Sequence, residues 1–349
     1  MISSRFAVAL LVGVLVAGAV AINRLQDRPE RGPGLGGELP RSPDSRPNSS
    51  AEPAILPFGL DASGALALPE DARPDYGTFW IGPWTLQWGW KDPDEQLARL
   101  RAANVTPAVH LYYWGDGIRP ACFDVGCDGK DTAMWRQLAQ QTAEHLAGGP
   151  AVVFLETEFN KADVAMHEPL DGHLADIATI LQANPDLTVV LSFGNWYPTA
   201  WPTWDRAAAA SDAVGLQAIS GLTRNDANHA ASLATSAVEG ARTLNGLFGK
   251  PVWLDDVAVS SWPEPEGLDV QKTALDGFAQ SLEDLRAAGV QAIIYRTLYD
   301  TPAMDGYYGE AERHFGLAWA DGGLKPGGAA LLSALHPEAT QATQGAASQ

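Results

Sequence analysis

Basic residues are scarce in this chain. Lys and Arg number 23 against 42 Asp and Glu, a formal net charge of −19. A phosphate backbone is held by a basic surface, so the charge argues against a nucleic-acid partner. Cysteine is scarcer still, with only Cys122 and Cys127, in ACFDVGCDG. Zinc takes four ligands and no His lies near this pair in sequence, so no metal is expected. The chain lacks a Gly-x-Ser-x-Gly elbow, which removes one large class of serine hydrolases. It also lacks a Gly-rich phosphate turn after its first strand, as a dinucleotide-binding open sheet would carry.

One long apolar run exists, Phe6 to Ile22, behind the short basic stretch Met1 to Arg5. Ala19-Val20-Ala21 offers a small-x-small cleavage site. Residues 1–22 therefore read as a signal peptide or membrane anchor, and the body is expected outside the cytoplasm, secreted or held at the envelope. In that oxidising setting Cys122 and Cys127 are expected to form a disulfide closing a small loop. Residues 23–54 are rich in Pro, Gly, Ser and Arg without apolar periodicity, which predicts a disordered linker. Residues 338–349 predict a second frayed tail, leaving 55–337 as a single folded domain.

The composition of that body is ordinary, since the whole chain is 46% hydrophobic and 19% charged over 349 residues. From about residue 76, apolar runs alternate with amphipathic stretches. The strand candidates are Thr78–Trp88, Thr106–Trp114, Ala151–Glu158, Thr188–Trp196, Ala213–Ile219, Pro251–Val257 and Val290–Leu298, with Ala54–Leu60 as an eighth before them. Between them, Asp92–Ala103, Thr132–Leu146, Leu174–Leu181, Ala230–Leu247 and Val270–Ala288 show helical spacing, with Asp92 and Asp269 as expected N-caps. Regular alternation implies a parallel sheet with crossover helices. Its length predicts an α/β (β/α)8 TIM barrel.

In such a barrel the chemistry sits at the C-terminal strand ends. Two of these ends break from apolar runs into acids: AVVFLETEFN, residues 151–160, and KPVWLDDVAVSSW, residues 250–262. Two opposed carboxyl groups are what glycosidic cleavage requires. Glu158 is the expected general acid, and Asp256 the ionised nucleophile or base. Glu156 shares the strand parity of Glu158, so both are expected in the lumen, Glu156 as a substrate contact or as an ion-pair partner of Arg296, while Asp255 is expected to face the helix layer. Around them, Asn160, His110, Trp114, Asn195, Trp196, Trp88 and Tyr295 are the candidate substrate contacts. Aromatic rings pack on the apolar faces of pyranoses, and polar side chains meet the hydroxyls.

On these residues the chain resembles the TIM-barrel glycoside hydrolases of the large retaining clan, which includes cellulases, mannanases and galactanases. KPVWLDDVA, Lys250 to Ala258, is similar to that clan's seventh-strand motif, with Asp256 at the nucleophile position. Glu158-Phe159-Asn160 is similar to the fourth-strand motif of the family 26 mannanases, and His314 to Pro326 resembles the clan's closing loop. The resemblance implies a two-carboxylate hydrolase of polysaccharides or oligosaccharides that needs no cofactor. The chain departs from the pattern at three places: Thr157 precedes the acid, Asp256 is one methylene shorter than Glu, and no Tyr stands on the sixth strand. Three outcomes stay open: a retaining site, an inverting site, or a barrel that binds glycans without cleaving them.

Overall fold

The structure, a computed structural model, describes residues 56–115, 126, 129–161, 168–195, 198–221, 227–304 and 306–335. Cys122, Cys127, Trp196, the first 55 residues and the last 14 lie outside the described residues. Eight parallel strands close into a barrel in sequence order. They are β1 (Phe58–Asp61), β2 (Tyr76–Ile81), β3 (Thr106–Leu111), β4 (Ala151–Leu155), β5 (Leu187–Phe193), β6 (Ala213–Ser220), β7 (Val252–Val259) and β8 (Val290–Tyr295). The closing contact pairs Phe58 with Ile293 and Gly59 with Ile294.

The surrounding helices are α1 (Ala62–Ala67), α2 (Pro83–Trp88), α3 (Lys91–Ala102), α4 (Thr132–His145), α5 (Glu168–Leu181), α6 (Asp205–Ala210), α7 (Ala227–Phe248), α8 (Glu266–Gln280), α9 (Leu282–Ala287) and α10 (Pro326–Leu335). Asp61 caps α1 through the Gly64 amide, and Asp131 caps α4 through the Met134 amide at 2.7 Å. The expected caps Asp92 and Asp269 instead lie inside the first turns of α3 and α8, where a carboxylate faces the positive end of the helix dipole.

Alternation along each strand divides the core in two. Val109, Leu111, Val153, Leu155, Val189, Leu191, Val214 and Leu254 face the helices. Ala108, Val152, Phe154, Val190, Ala213, Trp253, Ala292 and Ile294 fill the lumen. Burying each large aliphatic or aromatic side chain contributes about 1.5–3 kcal/mol. The lumen is therefore apolar at its lower levels. The next inward positions towards the C-terminal ends are Trp80, His110, Ser192, Gln217 and Arg296, so the polar groups gather at one mouth.

Two strand ends differ from expectation. The second strand stops at Ile81 because Gly82-Pro83 turns the chain into α2, whose first turn accepts a proline without loss of a hydrogen bond. The fourth strand stops at Leu155, and Glu156 and Glu158 take left-handed backbone angles, φ 46° and 63°.

Candidate active site

The β7 strand carries the acids into the lumen by a β-bulge. Leu254 and Val257 both face the helix layer although three residues apart, and the pairing register with β6 and β8 shifts across this stretch. A bulge accommodates one additional residue and re-aims its side chain. Asp255 therefore turns inward, accepting from the Ser192 hydroxyl, and Asp256 also turns inward, opposite Gln217. This corrects the expectation that Asp255 faces the helices. Gly215 makes the position possible: a Cβ there would lie 2.8 Å from the Asp255 carboxyl carbon.

Asp256 is 3% exposed at its side chain and lies on the fork of Arg296. Arg296 donates from Nε to Oδ1 at 3.0 Å and from Nη2 to Oδ2 at 2.5 Å. The same guanidinium donates to Glu312 Oε1 at 3.1 Å and sits 5.4 Å from the Phe315 ring centroid. Asp256 and the Glu312 beside it hold the Arg296 pKa above its ordinary value against burial. Asp255 is wholly buried, which pushes its carboxyl up to about 8; the Ser192 hydroxyl opposes this and the Asp256 charge adds to it. Asp255 Oδ1 and Gln217 Nε2 are buried without a hydrogen-bond partner in the same lumen.

Glu158 is at the mouth, its side chain 20% exposed and 2.6 Å from Lys161 Nζ. It lies close enough for its charge to act on both Arg296 and Asp255. His110 closes the floor beside them. Its Nδ1 is 3.3 Å from the Thr157 hydroxyl, and burial holds its pKa down to about 4, so the ring is neutral at physiological pH. Trp80 stacks on His110 at 4.4 Å and 15°, meets Tyr112 edge-on at 5.5 Å, and remains 39% exposed. Trp80 is not among the sequence candidates because a strand running from Thr78 to Trp88 places its open end at Trp88. Its alternation with Thr78 was the available signal.

Several expected contacts have other employment. Glu156 Oε2 accepts from Tyr113 N at 3.0 Å, and Oε1 accepts from Trp114 N and Gly115 N at 2.8 and 3.1 Å. Burial pushes Glu156 up to about 7 against the pull of those three amides. It anchors the loop after β3 and, at 1% exposure, is closed off from a substrate. Nor does it pair with Arg296. Asn160 bonds both ways with the Gly194 backbone, at 2.8 and 2.9 Å, tying the ends of β4 and β5. Trp114 is 1% exposed and packs edge-on against Tyr113 and Trp135 behind that loop. Tyr295 has outward parity, is fully buried, and donates to Phe315 O at 2.9 Å. Trp88 ends α2 and is 76% exposed, off the strand end where it was expected. Asn195 is exposed just after β5.

Among the described residues, only Glu264, Asp300 and His314 gather three metal-ligating atoms within 4.8 Å. The Lys325 ammonium already sits 2.6 Å from Asp300 Oδ1, so a cation there would meet a positive charge.

No protein-family model matches the chain, and no curated protein is significantly similar to it in sequence. Solved structures are similar in fold. A GH5_18 protein from Bifidobacterium longum subsp. infantis superposes with a TM-score of 0.59 at 16% identity, over 80% of this chain and 78% of that one. A psychrophilic family 10 endo-β-1,4-xylanase gives 0.60 at 11% identity, over 79% and 96%. A GH5_18 variant from Bifidobacterium longum subsp. longum ATCC 55813, in complex with Manβ1-4GlcNAc, gives 0.57 at 14% identity, over 79% and 77%. At these identities the likeness establishes the TIM-barrel fold.

Proposed function

We propose that this chain is an exported glycoside hydrolase of the clan it resembles, cleaving O-glycosidic bonds of a polysaccharide with Glu158 and Asp256. The observation that carries the reading is the convergence of an acid after β4 and an acid on β7 around Arg296, beside the exposed Trp80 face. The glycoside hydrolases among the structural neighbours support it.

Glu158, at the mouth, gives its proton to the departing glycosidic oxygen. Asp256 is one methylene shorter than the clan's Glu, and both its oxygens accept from Arg296. A carboxylate shortened in this way acts through a water between it and the anomeric carbon, which makes the proposed reaction an inverting departure from the retaining clan. Asp256 then takes a proton from that water as it attacks. Trp80 offers the apolar face on which the sugar stacks, and the neutral His110 offers a hydroxyl partner.

The engaged state of both acids favours a second reading, a glycan-binding barrel without catalysis. Glu158 is paired with Lys161 and Asp256 with Arg296. One assay separates the two. Reducing-sugar release is measured on β-mannan, β-glucan, xylan and galactan with the wild type, Glu158→Gln and Asp256→Asn. Hydrolysis predicts a loss of about 10²–10⁴-fold in each variant, the usual share of acid–base catalysis. Activity surviving both substitutions rejects the assignment. Glycan binding with no release by the wild type establishes the second reading. Proton NMR of the first-formed anomer tests inversion. Cell fractionation, with and without residues 1–22, tests export.

A further inference from the structure

The long loop after β8 forms a cleft of about 440 Å³ that the proposed reaction does not use. Its lining includes Asp300, Glu310, Arg313, His314, Trp319 and Asp321. We propose that this cleft is a second glycan subsite, taking one or two neutral sugar units of a longer chain. The proposal takes its choice of ligand class from the hydrolase reading, and its geometry stands apart from it.

The lining is held in place before any ligand arrives. The Trp319 indole N–H donates to Glu264 Oε1 at 3.3 Å, and its backbone N–H donates to Gly323 O at 2.8 Å. The His314 ring stacks on Trp262 at 5.1 Å and 25°. Arg313 donates to Met304 O at 2.7 Å and to Glu310 Oε2 at 2.9 Å. Asp300 accepts from Lys325 Nζ at 2.6 Å and Gly316 N at 3.0 Å. Groups already fixed lose little entropy on binding.

The chemistry selects the occupant. A half-buried indole beside alternating donors and acceptors suits a ring that is apolar on its face and hydroxylated at its edge. Glu264, Glu310 and Asp321 are exposed around it, which opposes uronic acids and phosphates. A divalent cation is opposed by Lys325 on Asp300 and Arg313 on Glu310. The cleft also shares an element with the candidate catalytic pair. The 3-10 helix Gly309–His314 turns Glu310, Arg313 and His314 to the cleft and Glu312 to Arg296.

The test is isothermal titration of the full chain carrying Glu158→Gln, which prevents turnover, with β-1,4-mannohexaose, cellohexaose and the corresponding disaccharides. Trp319→Ala removes the aromatic face, and Ala320→Trp fills the cleft without deleting a contact. Each is expected to weaken binding of a hexaose at least tenfold, leave the disaccharide within twofold, and keep the thermal midpoint. Hexaose affinity within twofold of the parent in both variants overturns the proposal, as does a parent that binds neither hexaose. Cleft-dependent binding with no sugar release by the wild type would remove the hydrolase reading and leave this one standing. Hydrolysis with hexaose affinity unchanged in both variants would do the reverse.

Discussion

At the residue scale, Gly215 and Asp255 are one steric unit. An alanine methyl at position 215 would meet the Asp255 carboxyl carbon at 2.8 Å in a closed lumen. Gly215→Ala is expected to cost about 1–3 kcal/mol, the usual penalty of overpacking. Gly246 is the control: it is exposed on α7 with nothing within 4 Å of its missing Cβ. Gly246→Ala is expected to stabilise by about 0.5–1 kcal/mol. Urea titration of both variants reads the opposite signs. Asp255 also sets a pH dependence. Its folded value of about 8 lies above the ordinary 3.8, so the fold binds this proton more tightly and stability falls as pH rises across that interval. His110 acts the other way, its folded value of about 4 under the ordinary 6.5 removing stability as pH falls through that window. Asp255→Asn should remove the first slope, gaining on the wild type in urea midpoint from pH 5 to 8. A parallel pair of profiles would show that Asp255 is not held neutral.

At the element scale, Glu156 turns a strand end into a loop anchor. Its carboxylate accepts three consecutive amides, of Tyr113, Trp114 and Gly115, and so fixes the loop after β3 to the end of β4. Glu156→Gln replaces one acceptor oxygen with a donor and strands at least one buried amide. The expected cost is about 1–3 kcal/mol, with faster hydrogen exchange at residues 113–115. Unchanged exchange there would remove the anchor role. The acid itself was legible, because a polar residue closing an apolar run must face water or a partner. Its partner was not, because strand parity applies only while the strand continues, and β4 ends one residue earlier. The same limit hid the β7 bulge: alternation read from sequence places Asp255 and Asp256 on opposite faces, and only the shifted register with β6 and β8 puts both inside. Asn160 was legible as a polar group at a strand end, whereas its bonding to Gly194 depends on how β5 lies beside it.

At the scale of the whole molecule, the charge of −19 is a surface property and predicts colloidal behaviour. The sequence isoelectric point is about 4.6, so light scattering should show a solubility minimum near that pH. Addition of salt there, with circular dichroism unchanged, would separate self-association from unfolding. Closure of eight parallel strands follows from patterning that the chain carries locally: apolar runs of strand length, amphipathic stretches between them, and turns rich in Gly and Pro. Those signals involve near neighbours, so the sequence by itself determined the barrel and the end of it where acids and aromatics collect. Which carboxylate is clamped, which is neutral, and which aromatic stays open depend on contacts across strands far apart in sequence. Arg296 reaches Asp256 over 40 residues and Ser192 reaches Asp255 over 63. Those pairings exist only once the barrel is closed, and the tertiary structure alone decided them.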